Sequence, residues 1–300
     1  MRDWLQRLRT ERGYSPATLT SYAQGLELLA LLAEDMPWER VREADVRQWV
    51  GEMAREGLAP RTIAQRLSAW RGFFDHLALA HNPARVVRAP KAPRRLPKAL
   101  SPDEANRLAA HQPDERFESV RDKALVELFY SSGLRLAELC SLDVHYFADG
   151  DGRSISWLER AEAQVRVTGK GGKQRHVPVG SAALAALDVW LELRQIWLAA
   201  HPGAESRALF LSLRGRRLAR RSVQLRIATL ARRQGIPSRV HPHVLRHSFA
   251  SHLLQSSGDL RGVQELLGHA NIATTQVYTA LDFQRLATVY DAAHPRAKRR

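Results

Sequence analysis

Between Arg85 and Lys98 the chain carries six basic residues, Arg85, Arg88, Lys91, Arg94, Arg95 and Lys98, interleaved with Pro90, Pro93 and Pro97 and without one acidic residue. Such a stretch is expected to stay out of a packed core. Its prolines keep it extended, and its charges repel one another unless a polyanion neutralises them. Residues 85–100 are therefore read as a linker, at once a solvated hinge and a strap suited to DNA. The chain on either side has to close two separate cores, one over 1–84 and one over 101–300.

A chain of 300 residues, 44% hydrophobic, has enough apolar material for two moderate cores. Lys and Arg number 46 against 31 Asp and Glu, a formal charge of +15, so the long-range field attracts polyanions: DNA, RNA or an anionic membrane surface. No apolar run approaches the ~20 residues of a spanning helix. The opening MRDWLQRLRTERG also lacks the apolar centre of a secretory signal. A soluble cytoplasmic protein is expected. The single cysteine, Cys140 in LAELCSL, cannot form an internal disulfide, lacks an activating neighbour, and is read as core filler.

Over 1–84 the pattern is helical. Trp4 and Leu8 lie one turn apart, and Ser15-Pro16 opens a helix with Leu19, Tyr22, Leu26 and Leu29 on one face. Val46, Trp49, Val50 and Met53 form the next stripe, ended by Gly57. Ile63, Leu67, Trp70, Phe74 and Leu77 follow Pro60, so four helices close a small bundle. Its four tryptophans are read as packing rather than as base-stacking platforms, because each sits in an apolar stripe.

The second unit opens at Ser101-Pro102-Asp103-Glu104, a cap, a first-turn proline and a capping-box glutamate. Helix runs through DKALVELFYSS to Gly133 and resumes in LRLAELCSL. ISWL, QVRVT and the glycine-rich hairpin TGKGGKQRHVPV read as strands. Helices return at 181–200, 219–234, 243–257 and 260–267. The expected class is mainly α with a small antiparallel sheet.

The segment HPHVLRHSFASHLL carries the most chemistry. Leu245, Phe249 and Leu253 face a core, while His243 and Arg246, three apart, share a face near a helix amino terminus, where free N–H groups favour an anion. A guanidinium binds phosphate in two-pronged fashion and an imidazole adds a donor. Zinc is the competing reading, since His243 and His247 are four apart. It is the weaker one: Val244 stands where a zinc-protease helix has its Glu, and Arg246 would set a cation beside a dication. A structural role remains open for His247 and His252.

Three more segments gain meaning beside this one: Arg135 in SSGLRLAEL, Lys170 in TGKGGK, and His269 with Tyr278 in LLGHANIATTQVYT. In that order they resemble the tyrosine recombinase (phage integrase) family, whose pattern is arginine, lysine, H-x-x-R, histidine and a tyrosine nine residues later. The resemblance covers nearly the whole chain. It implies a four-helix, SAM-like core-binding domain, the linker, and an α-rich catalytic domain with a partner-docking tail. Within the family, the stretch from SSGDLRGVQELLGHANIATTQVYT to AAHPRAKR resembles the XerC branch. A XerD-like recombinase or a phage integrase is the alternative, with a type IB topoisomerase or a non-catalytic DNA-binding regulator behind them. The segment FADGDGRSISWLERAEAQ between Arg135 and Lys170 is longer than the family's usual one, which makes Lys173 the alternative to Lys170.

By that resemblance Arg135, Arg246 and His269 stabilise the phosphate oxygens, Tyr278 attacks phosphorus, His243 accepts the tyrosine proton and Lys170 protonates the departing 5′ oxygen. The product is a 3′-phosphotyrosyl link, formed with neither metal nor cofactor. The expected partners are double-stranded DNA at a dif-like site and a XerD-like recombinase in a heterotetramer. The resemblance also allows for the FtsK DNA translocase.

Overall fold

A computed structural model of the chain describes residues 1–91, 99–150, 152–169, 172–237, 240–267 and 293–294. The chain divides into two compact units, Met1–Leu96 and Pro97–Arg300. Among the described residues no helix is long and apolar enough to cross a membrane.

The first unit holds α1 (Arg2–Thr10), α2 (Pro16–Ala33), a short 3-10 turn (Trp38–Arg40), α3 (Glu43–Arg55) and α4 (Pro60–His76). Ser15 caps α2 by accepting from the Thr18 amide at 3.2 Å, with Pro16 at the first helical position. Gly25 lets α2 and α4 meet closely: a Cβ there would lie 3.3 Å from that of Ala69, and Trp70 Nε1 donates to the Gly25 carbonyl at 2.7 Å. Trp4 stacks on Tyr22, Trp49 meets Trp70 edge-on, and Trp38 packs edge-on against Phe73, so the aromatic side chains here are packing elements.

Part of the expected linker folds back onto this unit. Arg71 donates to the carbonyls of Ala84 and Val87 at 2.9 and 2.5 Å, Val87 is buried, and Arg85 pairs with Asp75 at 2.7 Å. Arg85 is therefore neutralised within the protein. At the other end Leu100 is buried in the second unit, its amide donating to Ser248 Oγ and its carbonyl accepting from His252 Nε2, both at 2.9 Å. Arg94, Arg95 and Lys98 lie outside the described residues.

The second unit opens with the Ser101–Glu104 capping box on α5 (Pro102–Ala109), followed by α6 (Phe117–Ser132) and α7 (Leu136–Cys140). A four-stranded sheet has the order β1 (Leu142–Asp143), β4 (Ser156–Glu159), β5 (Gln164–Thr168), β6 (Gln174–Pro178). The sheet is not wholly antiparallel: β1 joins β4 in parallel, because the chain leaves the sheet between them. That excursion holds β2 (Ala148–Asp149) and β3 (Gly152–Arg153), paired as a separate hairpin. Helices α8 (Ser181–Ala199), α9 (Arg220–Arg233), α10 (Pro242–Ser257) and α11 (Leu260–Leu267) complete the described elements.

Helix α6 runs through the centre of this unit, buried almost all round, which is why its sequence shows little amphipathic contrast. Its core is shared with α5, α8, α9, α10 and the inner face of the sheet. Cys140 packs at the edge of that core, and burial pushes its thiol up to about 11, the environment of an inert cysteine.

Gly133 ends α6 in the left-handed region at φ +54°, and a Cβ there would stand 2.3 Å from Phe249 Cδ1. Gly133→Ala is expected to cost about 2–4 kcal/mol, backbone strain plus overpacking. Urea denaturation of the full chain, followed by far-ultraviolet circular dichroism, measures it; a midpoint equal to wild type refutes the steric argument.

Candidate active site

The turn after α6 sets the first arginine. Gly133 reverses the chain, Leu134 is buried, and Arg135 becomes the residue capping α7. Glu138, one helical turn on, accepts from the Arg135 amide at 2.7 Å and from Arg135 Nη1 at 2.8 Å. Only 4% of its surface is exposed. Burial is the largest influence on its carboxyl and pushes it up. The hydrogen bond and charge of Arg175, with the Arg135 contacts, outweigh that and hold it at about 2.

Arg175, on β6, grips the same carboxylate with both Nη atoms at 2.8 and 2.9 Å and donates through Nε to the Leu266 carbonyl at 3.0 Å. The β5–β6 hairpin thereby lies against Arg135. The Gly169 amide donates to the Lys173 carbonyl at 2.8 Å, and a Cβ on Gly169 would be 3.8 Å from Arg175 Nη1 and 4.0 Å from Arg135 Nη1. Lys170 follows Gly169 directly but lies outside the described residues, whereas Lys173, its alternative, is exposed.

Helix α10 brings the second arginine. With His241 as cap and Pro242 at the first helical position, His243 and Arg246 lie on the first turns, as their spacing predicts. Arg246 donates to the Gly133 carbonyl at 2.5 Å and to the Leu267 carbonyl at 2.6 Å, joining the end of α6 to the end of α11. Burial, then the neighbouring Arg135 charge, lowers its guanidinium to about 10, so it stays charged near neutrality. His243 is exposed beside His241, the rings edge-on at 6.1 Å. The structure thus brings together Arg135 and Arg246 and places His243 one turn from Arg246. His269 and Tyr278 lie outside the described residues.

The remaining histidines separate by environment. His252 is buried: its Nε2 donates to the Leu100 carbonyl, so Nδ1 accepts from the Tyr130 hydroxyl at 2.9 Å, and burial lowers its pKa, favouring the neutral ring. It is a structural histidine. Among the described residues no three His, Cys, Asp or Glu side chains converge to hold a metal ion. Ala293 and His294 pack against this unit's own Phe249 cluster, and His294 also meets Tyr130, while Leu281, Phe283, Leu286 and Val289 of the expected docking tail lie outside the described residues.

Sequence reasoning missed Glu138 and Arg175. Glu138 stands three residues after Arg135, in the capping-box position, and Arg175 is a charge at an inward-facing strand position next to Val177. Both signals were legible.

Three guanidiniums around one carboxylate leave a surplus of two positive charges between α7, β6 and α10, an arrangement chemically able to hold a phosphate and to steady charge added to its oxygens. Family models match on both sides of the linker: the phage integrase family over residues 98–285, and the phage integrase N-terminal SAM-like domain over residues 1–81. The tyrosine recombinase XerC of Ralstonia pickettii (strain 12J) is 50% identical, covering 99% of this chain and 94% of its own length. That of Shigella flexneri is 47% identical, over 99% and 96%. In fold the chain is similar to a XerH site-specific recombinase bound to a palindromic difH substrate, with TM-score 0.65 and 20% identity over 93% of this chain and 81% of that one. It is likewise similar to a lambda integrase dimer bound to a COC′ core site, with TM-score 0.63 and 18% identity over 93% and 99%. The basic linker, the paired arginines and near-full-length relatives at half identity lead to one assignment: the chain belongs to the phage integrase family, the tyrosine recombinases.

Proposed function

We propose that this chain is a site-specific recombinase of the XerC type, cutting and rejoining DNA through a 3′-phosphotyrosyl link and resolving chromosome dimers for segregation at cell division. The observation that carries the chemistry is the clamp: Arg135 and Arg246 meet around Gly133, and Glu138, itself held by Arg175, holds the first of them. A phosphodiester repels nucleophiles by its own charge. Attack adds more charge to the non-bridging oxygens, so fixed guanidiniums bind the transition state more tightly than the ground state.

The remaining roles belong to this proposal. Tyr278 attacks phosphorus, and His243, exposed one turn from Arg246, takes its proton. His269 adds a donor to the phosphate, and Lys170 gives a proton to the departing 5′ oxygen. The covalent link conserves the bond energy until a 5′ hydroxyl of the partner duplex attacks it, so ATP is not consumed. Near-full-length identity to proteins named XerC supports a XerD-type partner in a heterotetramer at a dif-like site, and FtsK as the translocase acting beside it.

The test is incubation with a nicked duplex carrying a dif-like site, in chelator, followed by a denaturing gel and peptide mapping. A covalent adduct on Tyr278 is expected at that site, and strand exchange once the partner recombinase is added. Site-specific binding without an adduct would indicate a regulator that has kept the scaffold. An adduct without site preference or exchange would indicate a topoisomerase.

A further inference from the structure

Arg175 stands where an apolar side chain is expected. It faces Val167 across the β5–β6 ladder, and the inward positions nearby on β4, β5 and β6 are Leu158, Val165, Val167 and Val177, all buried. A charge in such a row is costly unless every donor is satisfied. Replacing a buried ionic cluster with apolar residues is often neutral or favourable for stability, so stability alone does not account for it. A breach of the strand's alternation at the edge of a reaction site points to function.

We propose that Arg175 is a positioning residue for strand cleavage, fixing in one register the three chain segments that carry the reacting groups. Its Nη atoms hold Glu138, which in turn holds Arg135 by backbone amide and guanidinium. Its own strand continues the hairpin that carries Lys170. Its Nε holds the Leu266 carbonyl at the end of α11, three residues before His269, while Arg246 holds the adjoining Leu267 carbonyl.

Two consequences follow from this geometry. The Glu138 carboxylate is shared between two guanidiniums, so it orients Arg135 without cancelling its charge. Without Arg175, the same buried carboxylate would lose the guanidinium that grips both its oxygens, lean more on Arg135 and weaken its pull on a phosphate. Among the described residues, the end of α11 would also lose the tie at the Leu266 carbonyl and keep the one from Arg246 at Leu267.

This inference rests on reading Arg135 and Arg246 as the phosphate clamp, and the experiment separates the two. Single-turnover cleavage of a nicked duplex at saturating protein isolates chemistry from binding. Arg175→Lys keeps the charge and the stem but cannot reach both carboxylate oxygens and the carbonyl together. It is expected to melt close to wild type, to bind the duplex within about twofold, and to cleave about 100-fold more slowly, the loss that a misplacement near 1 Å brings. In a Glu138→Gln background the same substitution is expected to cost less, because part of its effect passes through the carboxylate.

Cleavage by Arg175→Lys within about threefold of wild type overturns the proposal, and so does a loss of folding or DNA binding in step with cleavage, which would make the residue merely structural. Should the wild-type chain form no adduct, it is the clamp reading beneath the proposal that fails.

Discussion

On the proposed chemistry, Tyr278→Phe is expected to bind its DNA site and assemble with a partner recombinase as the wild type does, yet to leave no protein on the DNA in a denaturing gel. The substitution removes one oxygen and keeps nearly the same ring, so packing and phosphate binding have no reason to change. Only the nucleophile is lost. Cleavage is expected to fall by about 10⁴-fold or more, the scale seen when a covalent catalyst loses its attacking atom. The other tyrosines are the controls. Tyr130 is fully buried with its hydroxyl bonded to His252, and Tyr22 bonds Ser68, so neither is placed to attack a phosphate. Tyr146 is 48% exposed but packs on Trp157, a residue of the sheet face opposite to Arg175. Tyr146→Phe and Tyr290→Phe are expected to keep the adduct. An adduct formed by Tyr278→Phe would show the nine-residue spacing from His269 to have been misread.

Helices were legible where one face alone is buried. The stripes through Leu26, Val50 and Leu67, the caps at Ser15 and Ser101, and the glycine stop at Gly133 are local signals, and the structure carries each of them. The parallel pairing of β1 with β4 had no such signal, because two-residue strands have too little length to show alternation and their partner is set by the returning chain. At the amino-terminal edge of the linker, packing onto the first unit was not legible for a related reason. Arg85 and Val87 look like the rest of the basic, proline-rich stretch in composition, and it is Asp75 and the guanidinium of Arg71, on α4, that hold them down.

At the candidate site, where Arg135, His243 and Arg246 lie was legible from type and spacing. Their supports left a mark, a capping-box carboxylate at Glu138 and a charge at an inward strand position at Arg175, but what Arg175 holds was not legible, because it bonds residues 37 positions before it and 91 after it. A residue that touches substrate can be recognised by its chemistry, whereas one that touches only other residues is recognised by the contacts.

Arg246→Ala tests the clamp most directly, and its two effects have to be told apart. The side chain bonds the carbonyls of Gly133 and Leu267, so removal leaves both main-chain acceptors short of a partner, at about 1–3 kcal/mol for each that water does not reach. On the proposed clamp it also removes a charge opposite the phosphate, with an expected cleavage loss of about 10³-fold at saturating DNA. With its guanidinium lowered only to about 10, Arg246 does not titrate near pH 7, so this loss should be flat with pH from 6 to 8 rather than following an ionisation. The separating measurement changes the substrate. A methylphosphonate at the scissile position replaces one non-bridging oxygen with an uncharged methyl group, so the charge that Arg246 opposes is no longer there. If the arginine acts on that charge, Arg246→Ala should recover cleavage on the methylphosphonate relative to wild type on the same substrate. If it serves only to tie α6 to α11, the deficit should be equally deep on both substrates, since loose carbonyls do not sense the charge of the DNA.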